Sequence, residues 1–513
     1  MTSAAEPRRT GRTGPALAFL AALLAFGYFA RRPWNPNENS RMAPVLAAFW
    51  HHTLAIDGYW ASGPVQTNDR SESGGRTYSD KAPGSSVLAA LGYAPVYAWE
   101  RATGTEARYV IRKYAMTVAA VGLPLALALA ALFALARSAA GPRAAAAVVA
   151  VALLASPLLP YGSVLFGHGL AAALLLGAFA VIRFAVTGPV RPVPASHLAG
   201  AGALLAGAIA VEYPTAPAAL VLGLYALHRL HGRGELARAR SLLLPLCGAA
   251  PVALGLGLYN WACFGSPLSP GYAHLTVPMF RAVHAQGVLG VGLPRLGVLY
   301  YLTVHPARGL FVHAPVLLLA LPGLWFMARR PGWRAEAITC AAVFVSLLLL
   351  NAGFGFWWGG YTYTARHVVP AIPFLLVPLA FLPRRALWVG MPLFLLSAAQ
   401  VLPATFGDPF TSDGRLMAQL RLAQASGGLA PWRGAWSIGE DAWPALVRRE
   451  GGGWPGFAPN GARLLDLTGP ATVLPFLALV IAPLLLAARA ARRRAPVAAP
   501  ARAAVVERDP LRA

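Results

Sequence analysis

Acidic residues that could do chemistry are concentrated in one stretch of the chain. Of its 19 aspartates and glutamates, five lie between positions 38 and 80: Glu38, Asp57, Asp69, Glu72 and Asp80. A carboxylate held at an apolar surface has a raised pKa and can act as a general base. Glu38, which closely follows the first apolar segment, is the candidate base. The alternative is a solvated acid that only interacts favourably with the start of a helix.

Lysine is rare in this chain, so its position is informative. Only Lys81 and Lys113 are lysines among 43 basic residues. Lys81 follows Asp80 in "YSDKAPGSS", where the Pro-Gly pair predicts a tight turn. Because lysine binds phosphate as a compact point charge, Lys81 is a candidate phosphate ligand. The alternative is a solvated ion pair with Asp80, and Lys113, at a helix start, shows no comparable setting.

Two ionisable residues lie within apolar segments. Glu212 occupies a proline break in "VEYP", and His168 lies near a helix end in "FGHGL". Ionisable residues near membrane depth are functional candidates. The alternatives are that Glu212 caps a turn and that His168 makes a structural hydrogen bond.

Two later motifs add cations and aromatic rings. "HPARGLFVHAP" contains Arg308, and "WWGGYTYTARHVVPAIP" contains Tyr363 and Arg366. Aromatic residues of this kind line sugar sites and also form interfacial belts. Arg366 directly precedes a predicted helix, where an arginine is well placed to bind a phosphate. Arg41, three residues after Glu38, can share the same helical face.

The composition indicates which elements position these residues. The 513 residues are 57% hydrophobic and 12% charged, whereas soluble domains carry about 25% charged residues. The chain is therefore predicted to be a polytopic membrane protein. Its net charge of +24 comes from arginines in short loops and at both ends, which follows the positive-inside rule and excludes a nucleic-acid partner. The three cysteines show no metal spacing, so no cofactor is predicted, although assistance by a divalent metal stays open.

Hydrophobic runs define the predicted architecture. We count thirteen apolar segments, at 15–31, 85–101, 112–136, 143–160, 164–186, 198–212, 214–230, 240–262, 309–328, 335–353, 367–383, 386–404 and 471–488. They predict an all-α membrane protein with about 12–14 transmembrane helices. Basic loops alternate from Arg143 onward and place the long polar stretches 32–84, 263–308 and 405–470 on the outer face. Segment 85–101, short and containing Gly92 and Pro95, conflicts with this alternation if it crosses fully; the alternative is that one terminus lies on the outer face.

The first outer loop is predicted to carry an interfacial helix. Its apolar residues Met42, Val45, Leu46, Phe49 and Trp50 follow helical spacing. Packing of this stripe on neighbouring helices is the alternative. As domains, we predict a transmembrane catalytic unit over 1–404, an outer loop or small subdomain over 405–470, and a last helix with a basic cytoplasmic tail over 471–513.

The motifs together resemble a known class of enzymes. "NENSR", "YSDKAPGSS", "FGHGL", "VEYP", "YNWACFGSPLSPGY", "HPARGLFVHAPVLLLALPGL" and "WWGGYTYTARHVVPAIPFL" cover residues 35–375 and resemble membrane-embedded GT-C class glycosyltransferases. The most similar groups are bacterial relatives of protein O-mannosyltransferases and the lipid A aminoarabinose transferase. The resemblance implies transfer of a sugar from a polyprenyl-phosphate donor to a lipid, glycan or protein acceptor of the cell envelope.

The resemblance also implies residue roles. Glu38 would be the general base, Lys81 and Arg366 would bind the donor phosphate, and Asp80 would orient Lys81. Substrate contacts are further expected from Arg41, His168, Glu212, Arg308 and Tyr363. The chain departs from the class in having Asn37 before Glu38, where better-known members have an acid, and a single proline after the lysine.

These features predict a multi-pass inner-membrane enzyme with its active site on the periplasmic or extracellular face, in contact with membrane lipids. A polysaccharide polymerase or ligase is the close alternative. A transporter or lipid flippase is the alternative from another class, although the sequence shows no half-to-half repeat and its polar clusters lie at helix ends.

Overall fold

The computed structural model describes residues 12–31, 34–410, 414–430, 432, 436, 443–450 and 456–490. These residues are mostly helical, as the sequence predicts. The longer α-helices are α1 Thr13–Gly27, α2 Pro36–His51, α3 Gly84–Thr103, α4 Tyr109–Thr117, α5 Leu123–Ala140, α6 Pro142–Leu154, α8 Gly167–Thr187, α9 Ala195–Val211, α10 Ala216–His231, α11 Arg240–Phe264, α15 Ala320–Arg329, α16 Arg334–Gly353, α18 Leu387–Phe406, α19 Gly414–Ser426 and α21 Val473–Arg489.

Short elements connect these helices. The shorter α-helices are α7 Leu158–Gly162, α12 Pro278–His284, α13 Leu296–Thr303, α14 Leu310–His313, α17 Ile372–Leu376 and α20 Trp443–Val447. A π-helical turn, Val118–Gly122, joins α4 to α5. The 3₁₀ segments are Tyr213–Thr215, Gly271–His274, Pro315–Leu319, Arg366–Ala371, Val377–Phe381, Arg384–Ala386, Gly461–Leu465 and Gly469–Thr472.

The protein is a multi-pass membrane protein by the length and apolar character of its helices. Six helical stretches are long and apolar enough to span a bilayer: Tyr109–Ala140, Gly167–Thr187, Arg240–Phe264, Arg334–Gly353, Arg384–Phe406 and Gly469–Arg489. Five shorter apolar helices accompany them: Thr13–Gly27, Pro142–Leu154, Ala195–Val211, Pro315–Arg329 and Arg366–Phe381. Each of the thirteen predicted apolar segments coincides with helix. Segment 85–101 forms α3. Because its ends are polar, α3 belongs neither to the six long apolar stretches nor to the five shorter apolar helices.

Helix α2 begins earlier than the apolar stripe alone indicates. Asn35 caps it, since its side chain accepts a hydrogen bond from the backbone N–H of Asn37, and Pro36 occupies the first turn. The candidate residues of "NENSR" are therefore on the same helix as the stripe. Met42 and Leu46 are buried in a cluster that includes residues of α3 and α4. The apolar stripe of α2 therefore packs on neighbouring helices, as the alternative interpretation of the sequence predicts.

A two-stranded hairpin follows α2, and the sequence analysis did not predict it. Strands β1, Arg70–Ser73, and β2, Arg76–Ser79, pair antiparallel with Arg70 opposite Ser79. The two-residue turn is Gly74-Gly75, and both residues have positive φ angles of 57° and 74°. Two such residues match the right-handed twist of hairpin strands. Because of this register, Asp69, which precedes β1, lies next to Asp80, which follows β2.

The membrane helices bring the other motifs to the same end of the bundle. Helix α8 packs against α5, α9 and the 3₁₀ segment Arg366–Ala371. Its first turn therefore lies near the break between α9 and α10. Of the predicted domains, residues 405–470 are described only in part, and the basic tail 491–513 lies outside the described residues.

Candidate functional site

The centre of the site is Lys81, held by two carboxylates. Its Nζ lies 2.8 Å from Asp69 Oδ2 and 2.8 Å from Asp80 Oδ2. The Lys81 side chain is 11% exposed and that of Asp69 is 15% exposed, whereas Asp80 is almost fully covered. Ser40 holds Asp80 by donating from its Oγ to Asp80 Oδ1 at 3.2 Å. The ammonium is thus fixed by the hairpin and remains reachable.

The two carboxylates are electrostatically unequal. Burial acts to raise the pKa of Asp69, but the charge and hydrogen bond of Lys81 together with the charges of Arg366 and Arg41 outweigh burial, so this pKa lies below its usual value. Burial raises the pKa of Asp80, and the neighbouring Asp69 charge raises it further. Burial also acts to lower the pKa of Lys81, but the two carboxylates outweigh it and raise this pKa. Lys81 and Asp69 are therefore the permanently ionised pair of the group.

A second buried ion pair adjoins this group. Arg41 Nη2 lies 2.6 Å from Glu212 Oε1, and the His168 Nδ1 atom lies 3.6 Å from the same oxygen. Gly167 is required here, because a Cβ atom at this position would lie 2.2 Å from Glu212 Oε1. Glu212 therefore holds the first turn of α8 against α2. Its side chain does not merely cap a turn.

Asn37 joins the two groups. Its Nδ2 donates to Asp69 Oδ2 at 3.5 Å, and its Oδ1 accepts a hydrogen bond from Arg41 Nη1. A continuous polar chain thus runs from Lys81 through Asp69, Asn37 and Arg41 to Glu212. We call the residues Asn37, Arg41, Asp69, Asp80, Lys81, His168, Glu212 and Arg366 the polar cluster.

Arg366 completes the polar cluster as a cation that has no carboxylate partner among the residues the structure describes. Its guanidinium lies over the Phe166 ring at 5.5 Å, and within the described residues it makes no ion pair. Its Nε is buried without a hydrogen-bond acceptor in that part of the chain. Gly359, with φ of 75°, allows this approach, because a Cβ there would lie 2.8 Å from Arg366 Nε. The residue after it, His367, has its ring 5.1 Å from the His168 ring, and this contact places Arg366 beside the other residues of the polar cluster.

Glu38 lies apart from the polar cluster. Its Oε2 is 2.5 Å from Lys113 Nζ, and its Oε1 accepts a hydrogen bond from the Leu165 backbone N–H at 2.8 Å. The glutamate is fully buried. Although Arg41 follows it by three residues, Arg41 turns toward Glu212 instead. Lys113 lacks the turn setting of Lys81, as expected, but it has a buried carboxylate partner that the sequence did not indicate, and the role of Glu38 as a base stays a prediction.

Two further predicted residues make contacts with the "WWGG" loop and with His313. The Arg308 guanidinium donates to the backbone carbonyls of Trp358, Ala307 and Gly360, so it positions the "WWGG" loop. Tyr363 is buried, with its ring 4.9 Å from the His313 ring. Trp357 is likewise buried and stacks on Tyr301 at 5.2 Å. These aromatic residues contribute to packing in this structure.

Sequence reasoning missed Asp69 and Asn37 as members of the site. The sequence signal for Asp69 was available in "DRSESGGRTYSDK", where Gly-Gly between two short polar-apolar runs predicts a two-residue hairpin. In such a hairpin, the residue just before the first strand and the residue just after the second lie close together. Asp69 therefore lies near Asp80. No local signal indicates that Asn37 links Asp69 to Arg41, because that contact depends on tertiary packing.

The site offers anion-binding groups and proton acceptors rather than a metal cage. Among the described residues, no group of three or more histidine, cysteine, aspartate or glutamate side chains could hold a metal ion. The position between Asp69 and Asp80 is occupied by the Lys81 ammonium.

Comparisons with known proteins gave the following matches. No protein-family model matches the sequence, and no curated protein matches it. Among solved structures, the chain is similar to ArnT from Cupriavidus metallidurans bound to undecaprenyl phosphate, with 18% identity and a TM-score of 0.47 over 93% of this chain and 75% of that one. It is also similar to the Archaeoglobus fulgidus oligosaccharyltransferase in complex with zinc and sulfate, with 14% identity and a TM-score of 0.45 over 82% of this chain and 58% of that one.

A third similar structure is the arabinosyltransferase EmbB from Mycobacterium smegmatis, with 14% identity and a TM-score of 0.40 over 96% of this chain and 42% of that one. All three proteins are GT-C glycosyltransferases, the class that the sequence motifs resemble. At these identities we transfer no residue role from them to this chain.

Proposed function

We propose that this protein is a glycosyltransferase that moves a sugar from a polyprenyl-phosphate donor to an acceptor of the cell envelope. The observation that carries the proposal is that two cations border the same polar cluster. Lys81 lies at its centre, and Arg366, which has no carboxylate partner in the described part of the chain, adjoins it beside His367, whose ring contacts His168. Two cations near the surface of a membrane helix bundle suit a phosphate that is attached to a lipid. The related solved structure of ArnT contains undecaprenyl phosphate.

Donor binding would change the partners of Lys81. Its ammonium is shared by Asp69 and Asp80 in the free protein. A donor phosphate would replace one of these carboxylates as a partner of the ammonium and would accept a second contact from Arg366. Asp69 would then be released from its strongest partner. The raised pKa of Asp80 favours its neutral form when another anion arrives.

We propose Asp69 as the general base. It is the most exposed carboxylate of the polar cluster and, because its pKa is lowered, it is ionised at neutral pH. The acceptor hydroxyl would lose its proton to Asp69 while its oxygen bonds to the anomeric carbon. The bond between that carbon and the phosphate oxygen would break, and the polyprenyl phosphate would leave on Lys81 and Arg366. Glu38 is the competing base that the motif resemblance implies.

The remaining cluster residues would position the reacting groups. Arg41 and Glu212 hold α2 against α8, and His168 extends this contact toward the His367 ring at 5.1 Å. We further propose that the cluster faces the periplasmic or extracellular side of the inner membrane, since the basic loops would then lie in the cytoplasm. Cysteine labelling at the exposed positions 72 and 304 tests this, and labelling of both positions from the cytoplasmic side, or from opposite sides, would contradict it.

The proposed function is tested by donor affinity and by substrate identification. Lys81→Ala and Arg366→Ala should each weaken binding of a polyprenyl-phosphate sugar to the purified protein, while Arg281→Ala, outside the cluster, should not. Unchanged affinity in both variants would refute the donor class. Mass spectrometry of envelope glycans and polyprenyl lipids, with and without the protein, would name the sugar and the acceptor. Transport without covalent transfer would instead support a transporter or flippase.

A further inference from the structure

The structure contains an apolar groove at the end of the bundle opposite to the polar cluster. It has a volume of about 880 Å³ and lies between α6, α18 and the 3₁₀ segment Val377–Phe381. Its walls include Ala147, Val151, Leu379 and Phe394. A cavity of this size is in the range that holds a lipid-sized or drug-sized ligand. Nothing in the proposed sugar transfer uses this groove.

Chain connectivity shows that the groove is distant from Lys81. The helical run that starts with Arg366 in the polar cluster ends at Phe381, next to the groove. About 15 residues of mixed 3₁₀ and α-helix separate the two sites, which corresponds to roughly 20–30 Å at 1.5–2.0 Å per residue. Helix α6 likewise starts at the groove with Pro142 and leads toward α7. The two sites are therefore on opposite sides of the apolar layer.

Two arginines give the groove a charge. Arg143 and Arg384 both line it, are exposed, and make no ion pair within the described residues. None of the described residues that line the groove is acidic. An apolar wall with two unpaired guanidinium groups matches a ligand that has an apolar chain and an anionic head.

We propose that this groove binds an anionic glycerophospholipid, with an acyl chain between α6 and α18 and the phosphate at Arg143 and Arg384. Basic pockets between membrane helices on the cytoplasmic side bind anionic lipid head groups in this way. A neutral lipid or a partner helix would fill the apolar walls but leave both guanidinium groups without an anion. The proposal rests on the membrane character of the chain and is independent of the proposed sugar transfer.

The test uses the purified full chain in neutral detergent, titrated with fluorescent phosphatidylglycerol. Arg143→Gln/Arg384→Gln should weaken binding about 30-fold, which corresponds to about 2 kcal/mol, since each arginine near an anionic lipid contributes about 1 kcal/mol. Phosphatidylcholine with the same acyl chains should bind the wild type no more tightly than phosphatidylglycerol binds the double variant. Arg143→Lys/Arg384→Lys should retain most of the affinity, because the charges remain.

Matched variants separate this site from general effects. Arg330→Gln removes an exposed arginine that does not line the groove. The affinity of this variant for phosphatidylglycerol should stay within twofold of the wild-type affinity. Lys81→Ala should also bind phosphatidylglycerol normally, which distinguishes the groove from the polar cluster. Ala147→Trp, which fills the groove and keeps both arginines, should weaken binding at least tenfold.

Three results would overturn the proposal. They are equal affinity for the two lipids, a loss in Arg330→Gln as large as that in the double variant, or displacement of phosphatidylglycerol by an equimolar amount of polyprenyl phosphate. The last result would make the groove a site for the donor chain.

Discussion

The two lysines of this chain make the same kind of contact in two different settings. Lys81 is shared by Asp69 and Asp80 at the open end of a hairpin, where its side chain is 11% exposed. Lys113 is paired with Glu38, and their side chains are 2% and 0% exposed. The rings of Tyr109 and Phe410 lie 5.6 Å and 6.0 Å from the Lys113 ammonium. One ion pair is reachable by a ligand, and the other is sealed by protein.

This difference separates ligand binding from positioning. A reachable cation can exchange a carboxylate for a phosphate, because the incoming anion replaces the charge that leaves. A sealed pair cannot exchange, and it fixes two segments because breaking it would leave a buried charge. Glu38 and Lys113 therefore hold α2 against α4, whereas Lys81 keeps part of its side chain exposed.

The largest effect is expected from opening the sealed pair. Lys113→Ala leaves the Glu38 carboxylate buried with a single backbone donor, so we expect a loss of about 3–5 kcal/mol in the free energy of unfolding. Equilibrium unfolding in detergent measures this loss. The double variant Glu38→Gln/Lys113→Met should recover most of it.

Arg108→Ala is the matched control for this prediction. Arg108 is exposed directly before α4, and its replacement should change the stability by less than about 0.5 kcal/mol. If Lys113→Ala were as stable as this control, the pair would not hold α2 in place.

The second effect concerns activity at the reachable pair. Lys81→Ala removes one cation that would stabilise the leaving phosphate, so we expect the transfer rate to fall about 10²–10³-fold. Arg76→Ala, on the same hairpin but in an exposed pair with Asp57, should change the rate less than threefold. Equal losses in both variants would mean that the hairpin fold, and not the Lys81 charge, is what matters.

A smaller effect is expected from the hairpin turn. Gly75→Ala places a side chain at a φ of 74°, which costs about 1–2 kcal/mol although no atom lies within 4 Å of the new Cβ. We expect a lower melting temperature together with weaker donor binding, because the turn sets the position of Asp69. Gly58→Ala, also free of contacts but without a positive φ, should affect neither quantity.

The smallest effect is a pH dependence of opposite sign at the two aspartates. The pKa of Asp69 is lowered below 3.8, so its stabilising contribution is present above pH 3.8 and is lost as the pH falls below it. The pKa of Asp80 is raised, so lowering the pH toward 3.8 stabilises the wild type relative to Asp80→Asn. Melting temperatures of wild type, Asp69→Asn and Asp80→Asn between pH 7 and 3 measure both trends. The same trend in both variants would contradict the unequal assignment.

The sequence predicted the helical architecture well because apolar segments carry their signal locally. All thirteen predicted segments are helical, and the all-α class and multi-pass character are confirmed. The start of α2 was less accessible, since Asn35 and Pro36 form a cap that the apolar stripe does not include.

The sequence predicts which residues belong to the site better than it predicts which of them contact each other. Lys81 and Asp80 are neighbours in sequence, and their contact follows directly. Glu38 on α2 pairs with Lys113 on α4, and Arg41 on α2 pairs with Glu212 at the break between α9 and α10, so only the packed bundle decides these pairs. Asp69 depends on the hairpin register, which the Gly-Gly turn encodes. The contrast between Lys81 and Lys113 depends on the burial of each side chain, and the rarity of lysine in the sequence does not predict that burial.

The most direct test compares single-turnover sugar transfer by Asp69→Asn and Glu38→Gln with a saturating polyprenyl-phosphate sugar donor. If the reachable site performs the reaction, Asp69→Asn should lose at least 100-fold in rate while still binding the donor. Glu38→Gln should unfold at a lower temperature but transfer the sugar at a rate within about tenfold of the wild type. A normal rate in Asp69→Asn together with an inactive, fully folded Glu38→Gln would assign the base to the sealed pair and contradict this account.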